Sequence, residues 1–292
     1  MPSWPFYRTI RLSLPQSGSR LWSRPFVSCL VLTLLAQSAT AESPATSTVA
    51  VHELKSPHQR TRTHLEILLP DNMQPRHRYP VLFVLPVEAG QTRRWGHALQ
   101  EVQRHDLHSR FQIICVYPTF SDLPWYANHP GNPQLAQESY LLKTVVPFVD
   151  KHYPTTGTAQ GRFLVGFSKS GWGAFSLLLR HPDSFAAAAA WDAPLMMDRH
   201  GQYGSGPIFG SLASFRNYEL TRLIRTVDLK GQQPRLIHLG FSNFRQHHEE
   251  FEALLQGEKI PHIYRDGPQH KHAWDSGWLP AAVELLVKPP RS

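Results

Sequence analysis

Cysteine is almost missing from this chain: among 292 residues there are two, Cys29 and Cys115. So few thiols build neither a disulfide framework nor a thiolate-rich zinc site, and a buried apolar core must hold the fold together. Long apolar runs are scarce as well. The stretch Phe26 to Ala36 (FVSCLVLTLLA) is too short for a comfortable membrane span. There is no internal repeat, no linker after Pro57, and no block of basic residues interleaved with aromatics. These absences exclude a repeat solenoid and argue against a nucleic-acid partner despite a formal net charge of +8. What is present is a 41% apolar content, enough for a substantial core.

The first residues read as an address. Arg8, Arg11, Arg20 and Arg24 precede any acid, the apolar run follows, and QSATA leads into Glu42 with Ala39 and Ala41 at the two small positions. That order predicts a signal peptide over residues 1–41 and an exported protein, periplasmic or extracellular, with no stable membrane span after cleavage; an uncleaved anchor is the other reading of the same residues. Removing the segment takes away four arginines and no acid, so the charge falls from +8 to +4. It also takes away Cys29, leaving Cys115 inside FQIICVY as a core residue. Residues 42–62 are expected to form a mobile lead-in, and residues 63–290 a single domain.

Within that domain, short apolar or β-branched runs alternate with helical patterns. HLEILL, PVLFVL, FQIICVY, RFLVGF, FAAAAAW, RLIHL and HIY are strand-like. Helical spacing fills the intervals, for example Gln134 to Lys151 with Leu141, Leu142, Val145, Val146 and Val149 on one face. Strands separated by helices require crossovers and therefore a mostly parallel sheet with helices on both faces.

The stretch RFLVGFSKSGWGAF puts Ser168 at the end of a buried strand and directly before a helix. Gly166 stands two residues before it and Ser170 two after. This matches the nucleophile elbow G-x-S-x-G, with a small serine in place of the second glycine: the tight bend demands small residues at both positions and lifts the serine hydroxyl off the sheet. A phosphate-binding or purely structural turn is the rival reading of a short Gly/Ser pattern. An elbow serine needs a base. His272, in HKHAWDSGW between the last strand and the final helix, lies where the chain order Ser, acid, His would place it. His270 two residues earlier suggests a metal-binding His-x-His pair, but no third ligand accompanies it at metal-site spacing, so neither metal nor organic cofactor is expected. His247 and His248 are read as lying on a solvated helix face, and Glu138 as a favourable charge at a helix N-terminus.

GFSKSGWGAFSLLLRHPDSFAAAAAWDAP resembles the elbow region of the putative esterase family of α/β-hydrolases, the esterase D-like branch with its feruloyl, acetyl-xylan and siderophore esterases. LPWYANHP, ESYLLKTVVPFVDKHYP and QHKHAWDSGW are similar in order and spacing to that family's S-W-Y-x-D loop, its E-x-Y helix and its G-H-x-W-x-x-W ending. The resemblance implies an α/β-hydrolase fold and a secreted serine hydrolase of small-molecule or carbohydrate-linked carboxylic esters, working through an acyl-enzyme on Ser168 with His272 as general base. It also implies an oxyanion hole from the N–H groups of Lys169 and Val87. Trp125 and Tyr126 are candidates for a substrate wall, or else a hydrophobic plug that fixes their loop.

Two positions depart from the family. Asn243 stands where the triad acid is usual, which leaves Asp192, Glu249 or Glu250 as candidates, with Asp192 equally able to cap a turn. Pro86-Val87 replaces the usual His-Gly, and proline has no N–H to give. The departures keep two alternatives in view: a non-catalytic binding protein on a hydrolase scaffold, and an acyltransferase to a sugar or lipid acceptor.

Overall fold

The computed structural model describes residues 49–229, 233–240 and 242–288. The expected signal peptide, residues 1–41, lies outside them. The described residues fall in one compact unit.

Eight strands make one sheet: β1 (Ala50–Leu54), β2 (Thr63–Leu68), β3 (Val81–Val84), β4 (Ile114–Pro118), β5 (Arg162–Phe167), β6 (Ala187–Trp191), β7 (Leu236–Leu239) and β8 (His262–Arg265). Their order is β1-β2-β4-β3-β5-β6-β7-β8. β2 runs antiparallel to both β1 and β4, and every other pair is parallel. This is the α/β-hydrolase fold.

The continuous apolar runs follow from burial on two faces. Along β3, Val81 and Phe83 join the core on one side while Leu82 and Val84 join the other, as the two-residue period of a strand requires. The first face is covered by helix Ser168–Arg180 through Trp172, Phe175 and Leu178, by Tyr140, Leu141, Val145 and Val149, and by Phe251 and Leu255 of helix Arg245–Gly257. The second face is covered by Leu99 and Val102 of helix Ala98–Arg104 and by Trp278, Leu279 and Val283 of helix Trp278–Val287. Cys115 is buried there, and burial pushes its thiol far up from the ordinary range, so it is an apolar packing group.

Two expectations change. Residues 50–62 are not a mobile lead-in: β1 pairs with β2 over its whole length, and Gln59 Oε1 accepts the Ser121 N–H at 2.8 Å. An edge strand hides in the sequence because it presents polar side chains such as His52 and Glu53 and leaves Val51 58% exposed. Glu138, in turn, is more than a helix-end charge. It is buried, and it accepts hydrogen bonds from Arg180 Nε (2.6 Å), His181 Nε2 (2.6 Å), the Tyr218 hydroxyl (3.1 Å) and Asn128 Nδ2 (3.2 Å).

Burial alone would raise the Glu138 pKa, but the hydrogen bonds from His181 and Arg180 and their charges outweigh it and bring it down to about 2. A carboxylate depressed from 4.5 stabilises the fold fully above that pH and loses its contribution as pH falls toward 2. We therefore expect acid unfolding to gather in that window. Glu138→Gln should lower the melting temperature at pH 7 and flatten the acid limb, as read by circular dichroism; an unchanged acid limb would refute the assignment.

Candidate active site

The residues singled out for chemistry lie just past the carboxyl ends of β3, β5 and β6 and in the loop after β8, the edge where open α/β sheets place their sites. Ser168 takes φ +54°, a left-handed conformation that a side-chain-bearing residue adopts only when its surroundings enforce it. The enforcement is visible in the neighbours. A Cβ at position 166 would collide with the backbone of Ser170, so only glycine fits. Ser170 does what its smallness permits and more: its hydroxyl accepts the Phe167 N–H at 3.1 Å and donates to the Phe167 carbonyl at 2.9 Å, closing the bend from inside. Ser168 itself remains partly exposed at the N-terminus of helix Ser168–Arg180.

Asp192 is completely buried, also with positive φ (+41°), and it connects the other parts. Its carbonyl accepts the Ser168 N–H at 3.1 Å. Its Oδ2 lies 2.6 Å from His272 Nδ1, and its Oδ1 accepts the Phe244 N–H at 2.6 Å. Asp192 thus fixes a turn through one oxygen and meets the histidine through the other. With Nδ1 turned to the carboxylate, the imidazole carries its proton there and leaves a lone pair on Nε2. Glu249 pairs with Arg245 at 3.1 Å and Glu250 accepts from Gln246 at 2.7 Å, both on the exposed side of their helix, and Asn243 is exposed on the turn before it. None of these three makes a hydrogen bond to His272 among the described residues.

Four aromatic rings surround His272: Phe167 at 5.0 Å, Trp95 at 5.1 Å, Phe244 at 6.0 Å and Trp191 at 6.4 Å between centroids. Its loop is anchored by the buried Trp274 and Trp278, with the Trp274 N–H on the Trp95 carbonyl at 2.8 Å.

Trp125 and Tyr126 are not a substrate wall. Both are fully buried, because Gln137 Oε1 accepts both of their backbone N–H groups and draws the loop inward. Trp125 packs edge-on against Trp172 at 5.5 Å. Tyr126 lies against Gly173, where any Cβ would overlap its ring, and its hydroxyl donates to the Pro86 carbonyl at 2.5 Å. The next carbonyl, that of Val87, accepts from Lys169 Nζ at 3.1 Å. Desolvation lowers the Lys169 pKa. Two side chains thus fix two successive peptide planes of the loop after β3.

His247 and His248 are not on a solvated face either. His248 is completely buried with Nε2 accepting the Ala193 N–H at 2.8 Å, and His247 Nδ1 accepts the Met196 N–H at 3.0 Å. The sequence held a signal for this: His248, Phe251 and Leu255 are spaced as one helix face. A set of potential metal ligands that sequence spacing did not reveal, His238, Glu252 and His262, lies nearby, with ligand atoms within 4.8 Å of one another.

Comparison with known proteins agrees with this architecture. Residues 56–199 match the model of the family Esterase, described as "Putative esterase". Two curated esterases of Mycobacterium tuberculosis are each 27% identical to this chain over 139 residues, 46% of this chain and 30% of theirs, so the match spans under a third of those relatives. Among solved structures, a ferulic acid esterase superposes with a TM-score of 0.66 at 20% identity, covering 83% of this chain and 97% of its own. The fluorophosphonate-binding serine hydrolase F of Staphylococcus aureus gives 0.67 at 19% identity over 84% and 100% of the two chains. An S-formylglutathione hydrolase from the same organism gives 0.66 at 18% over the same shares. At such identities the superpositions speak for the fold, an α/β-hydrolase fold, and over residues 56–199 the sequence matches the putative esterase family.

Proposed function

We propose that this protein is an exported serine hydrolase that cleaves carboxylic esters with Ser168, His272 and Asp192. The observation that supports it most is the linkage through one buried residue: the Asp192 carbonyl holds the Ser168 N–H, and its carboxylate holds His272 Nδ1 at 2.6 Å. Ser168 Oγ attacks the acyl carbon while its proton passes to His272 Nε2, and the buried Asp192 carboxylate stabilises the imidazolium. The tetrahedral intermediate collapses with loss of the alcohol, which takes the proton from His272. Water, deprotonated in turn by His272, then frees the acid from the acyl-enzyme.

The oxyanion needs donors. The Lys169 N–H, at the second position of its helix, has no intrahelical partner. Val87 supplies the second by a geometric argument. In a trans peptide the N–H points opposite to the C=O. The Pro86 carbonyl turns inward to the buried Tyr126 hydroxyl, so the Val87 N–H of the same peptide turns away from the core. Tyr126 thereby acts on the reaction through the loop. Tyr126→Phe should lower kcat by about tenfold with KM little changed, together with a modest loss of thermal stability from the unpaired buried carbonyl. Unaltered kcat would show that the loop does not depend on this bond.

The case for a non-catalytic scaffold rested on Asn243 and Pro86, and both lose their force once Asp192 and Val87 take those parts. The half-buried Trp95 and Phe244, rather than Trp125 and Tyr126, are the aromatic faces offered to a substrate. The test is incubation with a fluorophosphonate probe and a panel of short-chain and aromatic esters. We expect one covalent adduct, on the Ser168 peptide, and ester turnover that the probe abolishes. No adduct under conditions that label a known esterase would end the proposal. Ester exchange onto an added alcohol faster than hydrolysis would reassign the second half-reaction to acyl transfer.

A further inference from the structure

We propose that His248 is a positioning residue for the hydrolytic site, acting through the peptide bond between Asp192 and Ala193. The inference rests on the hydrolase reading above and adds a residue that does not touch substrate. That single peptide plane is held from both edges: its carbonyl accepts the Ser168 N–H at 3.1 Å, and its N–H donates to His248 Nε2 at 2.8 Å. It follows the residue that orients His272 and whose φ of +41° is unfavourable without restraint. Rotating it would move the backbone anchor of the nucleophile and the carboxylate of the acid together. Gly240 leaves the room that His248 fills, since a Cβ there would strike the imidazole.

The acceptor role fixes the protons. Burial, reinforced by His238 and His247, lowers the His248 pKa well below the ordinary value, so the ring is neutral. With Nε2 accepting from Ala193, its proton sits on Nδ1, which faces His238 Nδ1 at 3.3 Å. His238 must then accept at Nδ1 and carry its own proton on Nε2, 3.3 Å from Glu252 Oε2. Glu252 also meets His262 Nε2 at 2.6 Å, and His262 Nδ1 faces the Ile260 carbonyl at 2.6 Å. The protons thus point one way, from the Ala193 N–H across β7 toward the Glu252 carboxylate, which the buried His238 Nε2 approaches at 3.3 Å without an aligned hydrogen bond. A proton on His238 Nε2 and a cation among His238, Glu252 and His262 exclude each other, because a metal requires a lone pair on that nitrogen, so metal binding there is a test of this polarity.

The experiment compares wild type with His248→Gln, whose side-chain carbonyl reaches the same point as an acceptor, and His248→Leu, which has none. Each folded variant is measured for kcat, KM and thermal melting. We expect His248→Gln to keep kcat within about threefold, and His248→Leu to lose on the order of 10- to 100-fold in kcat with KM little changed. Nitrogen-15 NMR of the wild-type imidazoles is expected to find His248 protonated on Nδ1 and His238 on Nε2, which holds even if His248→Leu does not fold. A folded His248→Leu with full kcat, the opposite His248 tautomer, or stoichiometric zinc binding abolished by Glu252→Gln would each overturn the proposal. Wild-type protein without any ester turnover would instead sink the hydrolase reading, and this inference with it.

Discussion

Replacing Ser168 by alanine is expected to lower kcat for ester hydrolysis by about 10⁴-fold or more while leaving KM and the melting temperature close to wild type. The size follows from what the hydroxyl does: without it no acyl-enzyme forms, and only the oxyanion donors and the binding of substrate are left to act on water. Stability should be nearly unaffected, because the bend is closed by Ser170 and by the Ser168 backbone N–H, which alanine retains. Alanine also keeps the positive φ no worse than serine does. Steady-state kinetics on the ester turned over fastest, with circular dichroism as the folding control, provide the measurement. Activity within tenfold of wild type would assign the nucleophile to another residue.

Asp192→Asn should cost about 10³- to 10⁴-fold in kcat, for a reason specific to this site. Oδ1 is committed to the Phe244 N–H, so an asparagine must place its oxygen there and turn its amide NH2 toward His272. Facing a donor, His272 Nδ1 would give up its proton and the ring would carry it on Nε2 instead. A ring protonated on Nε2 cannot accept from Ser168. The loss should appear at all pH values where the wild type is active, since it reflects a tautomer and not a titration. The companion change, Asn243→Asp, is expected to restore nothing and to leave kcat within about twofold: position 243 is exposed on its turn, and the carboxylate His272 requires is already in place. A large gain from Asn243→Asp, or a near-normal Asp192→Asn, would return the acid to position 243.

The parts of this protein that sequence made legible are those where one local rule decides. Apolar runs located β2 to β8, largely buried along β2 to β7 and half-buried at the edge strand β8. The elbow announced itself through Gly166, Ser168 and Ser170, because the steric limit at a tight bend involves only residues two apart. His272 was legible through its place ahead of the final helix. What stayed hidden depended on partners distant in the chain. Asp192, Glu249 and Glu250 are equivalent as sequence, and only the end of β6 meeting the loop after β8 separates them. For Trp125 and Tyr126 the sequence left two readings open, a substrate wall or a hydrophobic plug, and the side chain that decides for the plug is the distant Gln137. His248 was misread because two adjacent histidines suggest solvent, although its spacing to Phe251 and Leu255 marked it as inward.

The contact between Gly173 and Tyr126 carries a last consequence. One added methyl group at position 173 would first evict the phenol ring against it, and with the ring goes its grip on the Pro86 carbonyl. A defect of pure volume, one turn into the helix and bearing no reactive atom, should therefore register in the assay as a chemical one. Variants at this glycine that express well yet turn over poorly would be failing at the Val87 amide, not at the serine.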